Sequence, residues 1–393
     1  MNKMNLNEHN LFKVYIKTFS ISFCVFSVFP LLGFFYVLRI HEHDPFSEIV
    51  SIQKNEGAIY GTALNPNDLK YKLELYRSRK TDFVVLGSSR SMKFRSEFFY
   101  EPITNLGGTF STLSEGQEFI QWILQEKTPK SVMLVVDYWW FHSEYSYDER
   151  RRFVSETAVN QDKLLKPWAW MFEQKIRVGE FLRTLLFGES SNPYSSVKSL
   201  GLRAIKYSSG FRYDGSYMEV DLDSGAPDRR MESMKSELRE IHEGKNLRAE
   251  LGYGDFVDEV RWKQFVTILA ELREKSELIV VLPPVAPMLS LDMENNPQRR
   301  FARQLQRKLR ELSVSVIDFT DFRTYTRSDS EFLDLWHPGE VAAVRQLVEI
   351  KKSFPNSLLA SNINEKACQV VIDKESGKGI ISLDLRSESS GEK

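Results

Sequence analysis

Asp82-Phe-Val-Val-Leu-Gly-Ser-Ser-Arg-Ser91 is the stretch on which the fold turns. An unbroken apolar run of strand length, ending in glycine and serines, reads as a strand buried on both faces and closed by a tight turn. Three other runs share the pattern: Ser131-Val-Met-Leu-Val-Val136, Leu278-Ile-Val-Val-Leu282 ahead of Pro283-Pro284, and Val314-Ser-Val-Ile-Asp318. Helical spacing lies between them. Phe119, Ile120, Ile123 and Leu124 repeat on one face of Ser114–Lys127, and helical patterns over 256–275 and 297–312 precede the third and fourth runs. Alternation of continuous apolar strands with amphipathic helices predicts an α/β domain with a parallel sheet covered on both faces.

Working outward, the N-terminus carries 21 consecutive uncharged residues from Thr18 to Leu38. That length crosses a hydrocarbon core of roughly 30 Å as a helix. Lys3, Lys13 and Lys17 precede it, and the lysine bias predicts that side in the cytoplasm. A cleaved signal peptide is the rival reading, but the run is long and no small-x-small site follows it. The expectation is a single-pass protein of the cytoplasmic membrane whose main domain is periplasmic or otherwise extracytoplasmic. Its parts would be a cytoplasmic N-terminus (1–17), an anchor (18–40), a polar stalk with a leading helix (41–80), an α/β domain (81–353) and a tail (354–393). Residues 138–255 break the strand–helix pattern and are too long for a loop, so they read as an inserted helical region. In the tail, Gln369-Val-Val-Ile372 and Ile380-Ile-Ser-Leu383 are candidates for a small hairpin.

A net charge of −1 gives no field that would favour nucleic acid, and none is expected as a partner. Cys24 and Cys368 stand in the apolar run and near the C-terminus, which makes them poorly placed to pair. His41-Glu42-His43-Asp44 offers metal-type side chains, but adjacent ligands on a juxtamembrane segment seldom close a site. No metal or cofactor is expected.

Two motifs carry chemistry. Ser88 and Ser89 follow the first strand, at the end where open α/β sheets bind ligands. A serine there either caps a helix or exposes its hydroxyl as a nucleophile. Near the end of the α/β region stands Glu331-Phe-Leu-Asp-Leu-Trp-His-Pro338. Asp334 and His337, two residues apart, fit on one turn, where the imidazole could take a serine proton and the carboxylate orient the ring. Otherwise Asp334 is a turn residue and His337 starts a helix.

Gly87-Ser-Ser89, Asn105-Leu-Gly107 and Asp334-x-x-His337, in this order, resemble the SGNH/GDSL hydrolase superfamily over about residues 80–137 and 277–353. The resemblance implies a three-layer, flavodoxin-like parallel sheet, with Ser89 as nucleophile, His337 as general base, Asp334 as its partner, and the N–H of Gly107 or Gly108 in the oxyanion hole. With a membrane anchor the chain looks like SGNH-like proteins of alginate O-acetylation and teichoic-acid D-alanylation. The expected function is an esterase or O-acyltransferase acting on an envelope glycan or exopolysaccharide, beside a membrane-bound acyltransferase. Ser88 replaces the family's usual Asp, and Asp137 stands where an asparagine oxyanion donor is usual. An ionised Asp137 accepts only, and losing such a donor costs ~2.7–4 kcal/mol. The row Tyr138-Trp-Trp-Phe141 reads as a buried strand end or a sugar platform. Two alternatives follow: a catalytically silent scaffold, or a lipid-active esterase with Trp168, Trp170 and Met171 in an apolar cap over Ser89.

Overall fold

The computed structural model describes residues 4–64, 67–143, 145, 161–188, 197–219, 226–243, 256–293, 297–326 and 328–382. Five strands form its central sheet: β1 (Phe83–Gly87), β2 (Ile103–Gly107), β3 (Ser131–Val135), β4 (Glu277–Leu282) and β5 (Ser315–Asp318). All neighbours are parallel, in the order β2-β1-β3-β4-β5. Every residue of β1, β2 and β3 is buried. Successive side chains point to opposite faces, so both faces are covered by other parts of the chain. The four apolar runs read from sequence are β1, β3, β4 and β5. The edge strand β2, Ile-Thr-Asn-Leu-Gly, was not expected: its polar centre hides the apolar run.

The covering helices have ordinary local causes. Leu113–Glu126 starts with a capping box in which the Thr112 hydroxyl accepts from Glu115 N–H. It packs against Glu259–Lys275, whose Asp258 cap accepts from Arg261 N–H. Glu340–Ser353 packs against Glu365–Glu375.

Three expectations about the flanks need correction. First, 41–80 is not a polar stalk. It forms helices Phe46–Glu56 and Asp68–Arg79 and a short strand, Ile59–Tyr60, which pairs with Ser199–Leu200 and Gly210–Phe211 of the insertion. Glu42 is buried and accepts hydrogen bonds from Thr62 Oγ1 and from the N–H groups of Ala63, Leu64 and Leu202. Second, the folded body begins before residue 41: Tyr36 and Ile40 share an apolar cluster with Ile176, Phe181 and Leu202. Third, 369–372 forms no hairpin strand. It lies in helix Glu365–Glu375, whose Cys368 and Val371 are buried, and its partner segment extends into residues outside those described.

The insertion is likewise integrated with the sheet. Asn105 N–H of β2 donates to Asp214 O, and Tyr217 N–H to Met92 O. Lys72, fully buried, donates from Nζ to the carbonyls of Asn105 (2.9 Å) and Gly215, over the Phe211 ring. Burial pushes its pKa down to about 7, against the opposing pull of Asp68 and Asp214. Because its pKa is lowered on folding, Lys72 adds stability as pH rises from about 7 towards its ordinary 10.5, and that gain is lost on return. Lys72→Met should therefore lack this component: urea midpoints of the two proteins should diverge between pH 7 and 10. Parallel curves would refute the assignment.

Candidate active site

The site grows out of the end of β1. Gly87 has φ +146°, and a Cβ there would stand 2.6 Å from Val135 O, so only glycine lets the chain leave the sheet at this point. The next two serines then take different roles. Ser88 caps the single 3₁₀ turn Ser89–Ser91, its Oγ accepting from Arg90 N–H at 3.3 Å, while Ser91 Oγ donates to Ser88 O. Ser89 is left half-buried with its hydroxyl facing the cleft.

His337 arrives from 248 residues away, its Nε2 2.9 Å from Ser89 Oγ. His337 Nδ1 lies 2.8 Å from Asp334 Oδ2. The Asp-x-x-His spacing works because the turn is closed behind it: Phe332 and Pro338 form a bridge, and Leu333 N–H donates to His337 O. Inside the turn, Asp334 Oδ1 also accepts from the N–H groups of Trp336 (2.8 Å) and His337 (2.7 Å). Burial alone would raise this carboxyl's pKa. The His337 hydrogen bond and charge and the two N–H donors overcome it, bringing it down to about 2. Asp334 is therefore ionised at neutral pH and locks the ring with Nε2 towards the serine. All three sequence-predicted residues converge.

The oxyanion expectation fares differently. Gly107 N–H donates to Asn105 Oδ1 at 2.8 Å, and Gly108 N–H is shared between Gly87 O and Ser88 O at 3.0 Å each. Both donors are already engaged: Gly107 N–H holds the Asn105 side chain within β2, and Gly108 N–H ties the end of β2 to the end of β1 and Ser88. Asn105 completes that brace, its Nδ2 donating to Ser91 O and Phe94 O. Among the described residues, the Ser89 N–H has no hydrogen-bond acceptor, so it is the donor left beside the hydroxyl.

Arg90 is the residue that sequence reasoning missed. Its side chain is buried, and Nη1 meets Asp137 Oδ1 at 3.0 Å. Nε donates to Trp336 O and Nη2 to Pro283 O and Pro284 O, while the guanidinium lies 5.1 Å from the Trp139 ring centroid. The carboxylate of Asp137 is thus no isolated negative charge in the oxyanion region, as its identity suggested; a guanidinium stands against it. Burial still raises the Asp137 pKa, despite Arg90, the nearby Ser88 hydroxyl and His337, which lower it. Its Oδ2 has no well-aligned hydrogen bond. The only legible signal for this pair was one acid and one base at the ends of adjacent apolar runs.

The cleft over Ser89 has a volume of about 410 Å³. Its aromatic lining includes Trp139 and Trp140 from the row after Asp137 and Phe211 and Tyr217 from the insertion, beside Arg203 and Glu219. The aromatic row is itself buried in a 3₁₀ turn, with Trp139 and Trp140 at the wall of the cleft. Trp168, Trp170 and Met171 do not cap Ser89: they pack with Tyr36 and Phe181 near the N-terminal helix. Among the described residues no group of three or more His, Cys, Asp or Glu side chains is arranged to hold a metal. One described helix, Asn10–Arg39, is long and apolar enough to cross a membrane. No family model and no curated protein matches the chain.

Removing one partner of a buried ion pair typically costs ~3–5 kcal/mol because the other charge is left uncompensated. Arg90→Met and Asp137→Leu should each lose stability in that range, and the double variant should lose less than their sum. Additive losses in urea unfolding would mean that the two side chains act independently.

Proposed function

We propose that the protein is an exported, membrane-anchored SGNH-like serine esterase or O-acyltransferase acting on a glycan of the cell envelope. The observation that carries this reading is the relay Ser89–His337–Asp334, with 2.9 and 2.8 Å links assembled from opposite ends of the domain. In an exposed cleft such a relay has one evident use, activation of the serine hydroxyl. The strand order and the position of Ser89 beyond the sheet's carboxyl edge, between β1 and β3 where the order reverses, also suit that superfamily. The anchor reading rests on the apolar helix and the lysines before it.

The reaction follows from the residues. His337 Nε2 takes the Ser89 proton as Oγ attacks an acyl carbonyl, and the imidazolium is held by Asp334. The carbonyl oxygen gains charge beside Ser89 N–H. Collapse of the adduct expels the first alcohol, which takes the proton from His337, and leaves an acyl ester on Ser89. A sugar hydroxyl or water, deprotonated by the same imidazole, then releases the acyl group. Aromatic side chains with a neighbouring arginine and carboxylate suit a hydroxyl-rich ring, which offers apolar faces and many hydrogen-bonding groups. With Gly107 and Gly108 engaged elsewhere, stabilisation of the oxyanion is thin. Esters with good leaving groups should therefore react, and poor ones slowly.

That same engagement favours a second reading, a catalytically silent scaffold that binds glycan or a membrane-bound acyltransferase partner. A serine-directed fluorophosphonate separates the two. Wild type should be labelled at Ser89, with labelling abolished by Ser89→Ala and His337→Ala. Folded protein that resists the reagent supports the scaffold.

For turnover of an activated aryl acetate, Asp334→Asn should lower kcat by several orders of magnitude with little change in KM, since it removes the orienting charge. Asp137→Asn should raise hydrolysis by placing an amide donor at the cleft, while lowering Tm because Arg90 loses its counter-charge. A Tm loss without a rate gain would remove position 137 from the oxyanion region.

A further inference from the structure

We propose that the hairpin of helices Gln161–Phe172 and Val178–Phe187 is a second membrane-contacting element, seated in the lipid interface beside the N-terminal span. This rests on the reading of that span as a membrane anchor. Both helices pack on its last turns. Trp168 Nε1 donates to Phe29 O at 2.9 Å, and its ring lies 4.8 Å from that of Phe29. At Gly33 a Cβ would stand 2.5 Å from Leu164 O, so the two backbones meet at a glycine. Higher up, Tyr36 stacks on Phe181 with centroids 4.7 Å apart. Phe29 to Arg39 covers ten residue steps, roughly 15 Å along a helix axis. The hairpin therefore accompanies the span through the depth at which it leaves the bilayer on the lysine-poor side.

Away from that contact the hairpin exposes several large apolar side chains. Phe172 is 87% exposed, Leu186 71% and Phe187 72%. Val178, Leu182 and Leu186 recur at i, i+4 and i+8, one face of the second helix, while Phe181 and Leu185 turn towards the N-terminal helix. At the same level that helix exposes Leu31 and Phe35. Exposed charges of both signs edge the apolar face: Lys175, paired with Glu173, and Arg177, Glu180 and Arg183. An apolar face with a charged border and tryptophans beside it is the make-up of a helix lying in a bilayer interface. A water-exposed surface rarely concentrates so many large apolar side chains. The lipid alongside the span is the occupant already in position, since any element packed on Phe29–Tyr36 must itself meet lipid. Together with the Glu42 brace, such seating would hold the α/β domain in one orientation to the bilayer instead of letting it swing on a stalk.

The test uses the full chain with Cys24→Ser, carrying one added cysteine labelled with bimane, in nanodiscs of phosphatidylethanolamine and phosphatidylglycerol doped with nitroxide lipid. Labels at Phe172→Cys, Leu186→Cys and Phe187→Cys should be quenched at least three-fold more than one at Leu358→Cys, on the helix beside the start of β4. Phe23→Cys reports on the span itself. Strong quenching at position 23 with hairpin labels at the Leu358 level overturns the proposal and leaves the anchor standing. No quenching at position 23 overturns the anchor reading and this proposal together. Hairpin labels shielded from aqueous iodide yet untouched by lipid quencher would give the face to a second copy, which also overturns it.

Discussion

The buried guanidinium of Arg90 is the constraint around which this domain is arranged. One side chain meets Asp137 Oδ1 after β3, the Pro283 and Pro284 carbonyls after β4, and Trp336 O beside His337. Each acceptor sits at the carboxyl edge of the sheet, where strand ladders end and carbonyls would otherwise be orphaned; proline offers no N–H to begin another ladder. A charge buried this deeply is tolerable only if every donor finds an acceptor. The requirement fixes the relative positions of three loops from distant parts of the chain. Ser89 stands next to Arg90 and His337 next to Trp336, so the geometry that satisfies the guanidinium also brings the Ser89 hydroxyl and the His337 ring together.

A second brace, made of neutral groups, acts from the other side. Asn105 Nδ2 ties β2 to the Ser89 turn, while Asn105 Oδ1 accepts from Gly107 N–H of the same strand. Gly108 N–H is shared between Gly87 O and Ser88 O, so rigidity occupies both glycine donors beside Ser89. Under the proposed function, such a site positions its serine well but stabilises charge modestly, which accords with transfer from an activated donor better than with hydrolysis of stable esters.

The insertion contributes to two regions of the molecule. Its strand Gly210–Phe211 pairs with Ile59–Tyr60 ahead of β1 and with Tyr217–Met218, and Phe211 and Tyr217 line the cleft, whereas its helices Gln161–Phe172 and Val178–Phe187 pack on the N-terminal helix. Lys72, buried between Asn105 and Gly215, joins this region to the sheet's edge strand. The cleft and the apolar N-terminal helix are thereby parts of one packed body.

What the sequence determined by itself follows from local rules. Four of the five strands were legible because each contains a continuous or nearly continuous apolar run of strand length, the usual pattern in a covered parallel sheet. The apolar span was legible from its length, and Asp334 and His337 from a spacing that a single turn can satisfy. Only the tertiary structure could reveal β2, whose Thr104 and Asn105 are buried by virtue of partners far away in the chain. The same holds for the helix over 369–372, where burial against Glu340–Ser353 prevails over the strand character of Val370, Val371 and Ile372. It holds for Arg90, whose meaning depends on four acceptors that no local pattern connects. It holds also for Gly107 and Gly108: a glycine in the sequence advertises a permissive backbone, but whether its N–H is free depends on what packs against it.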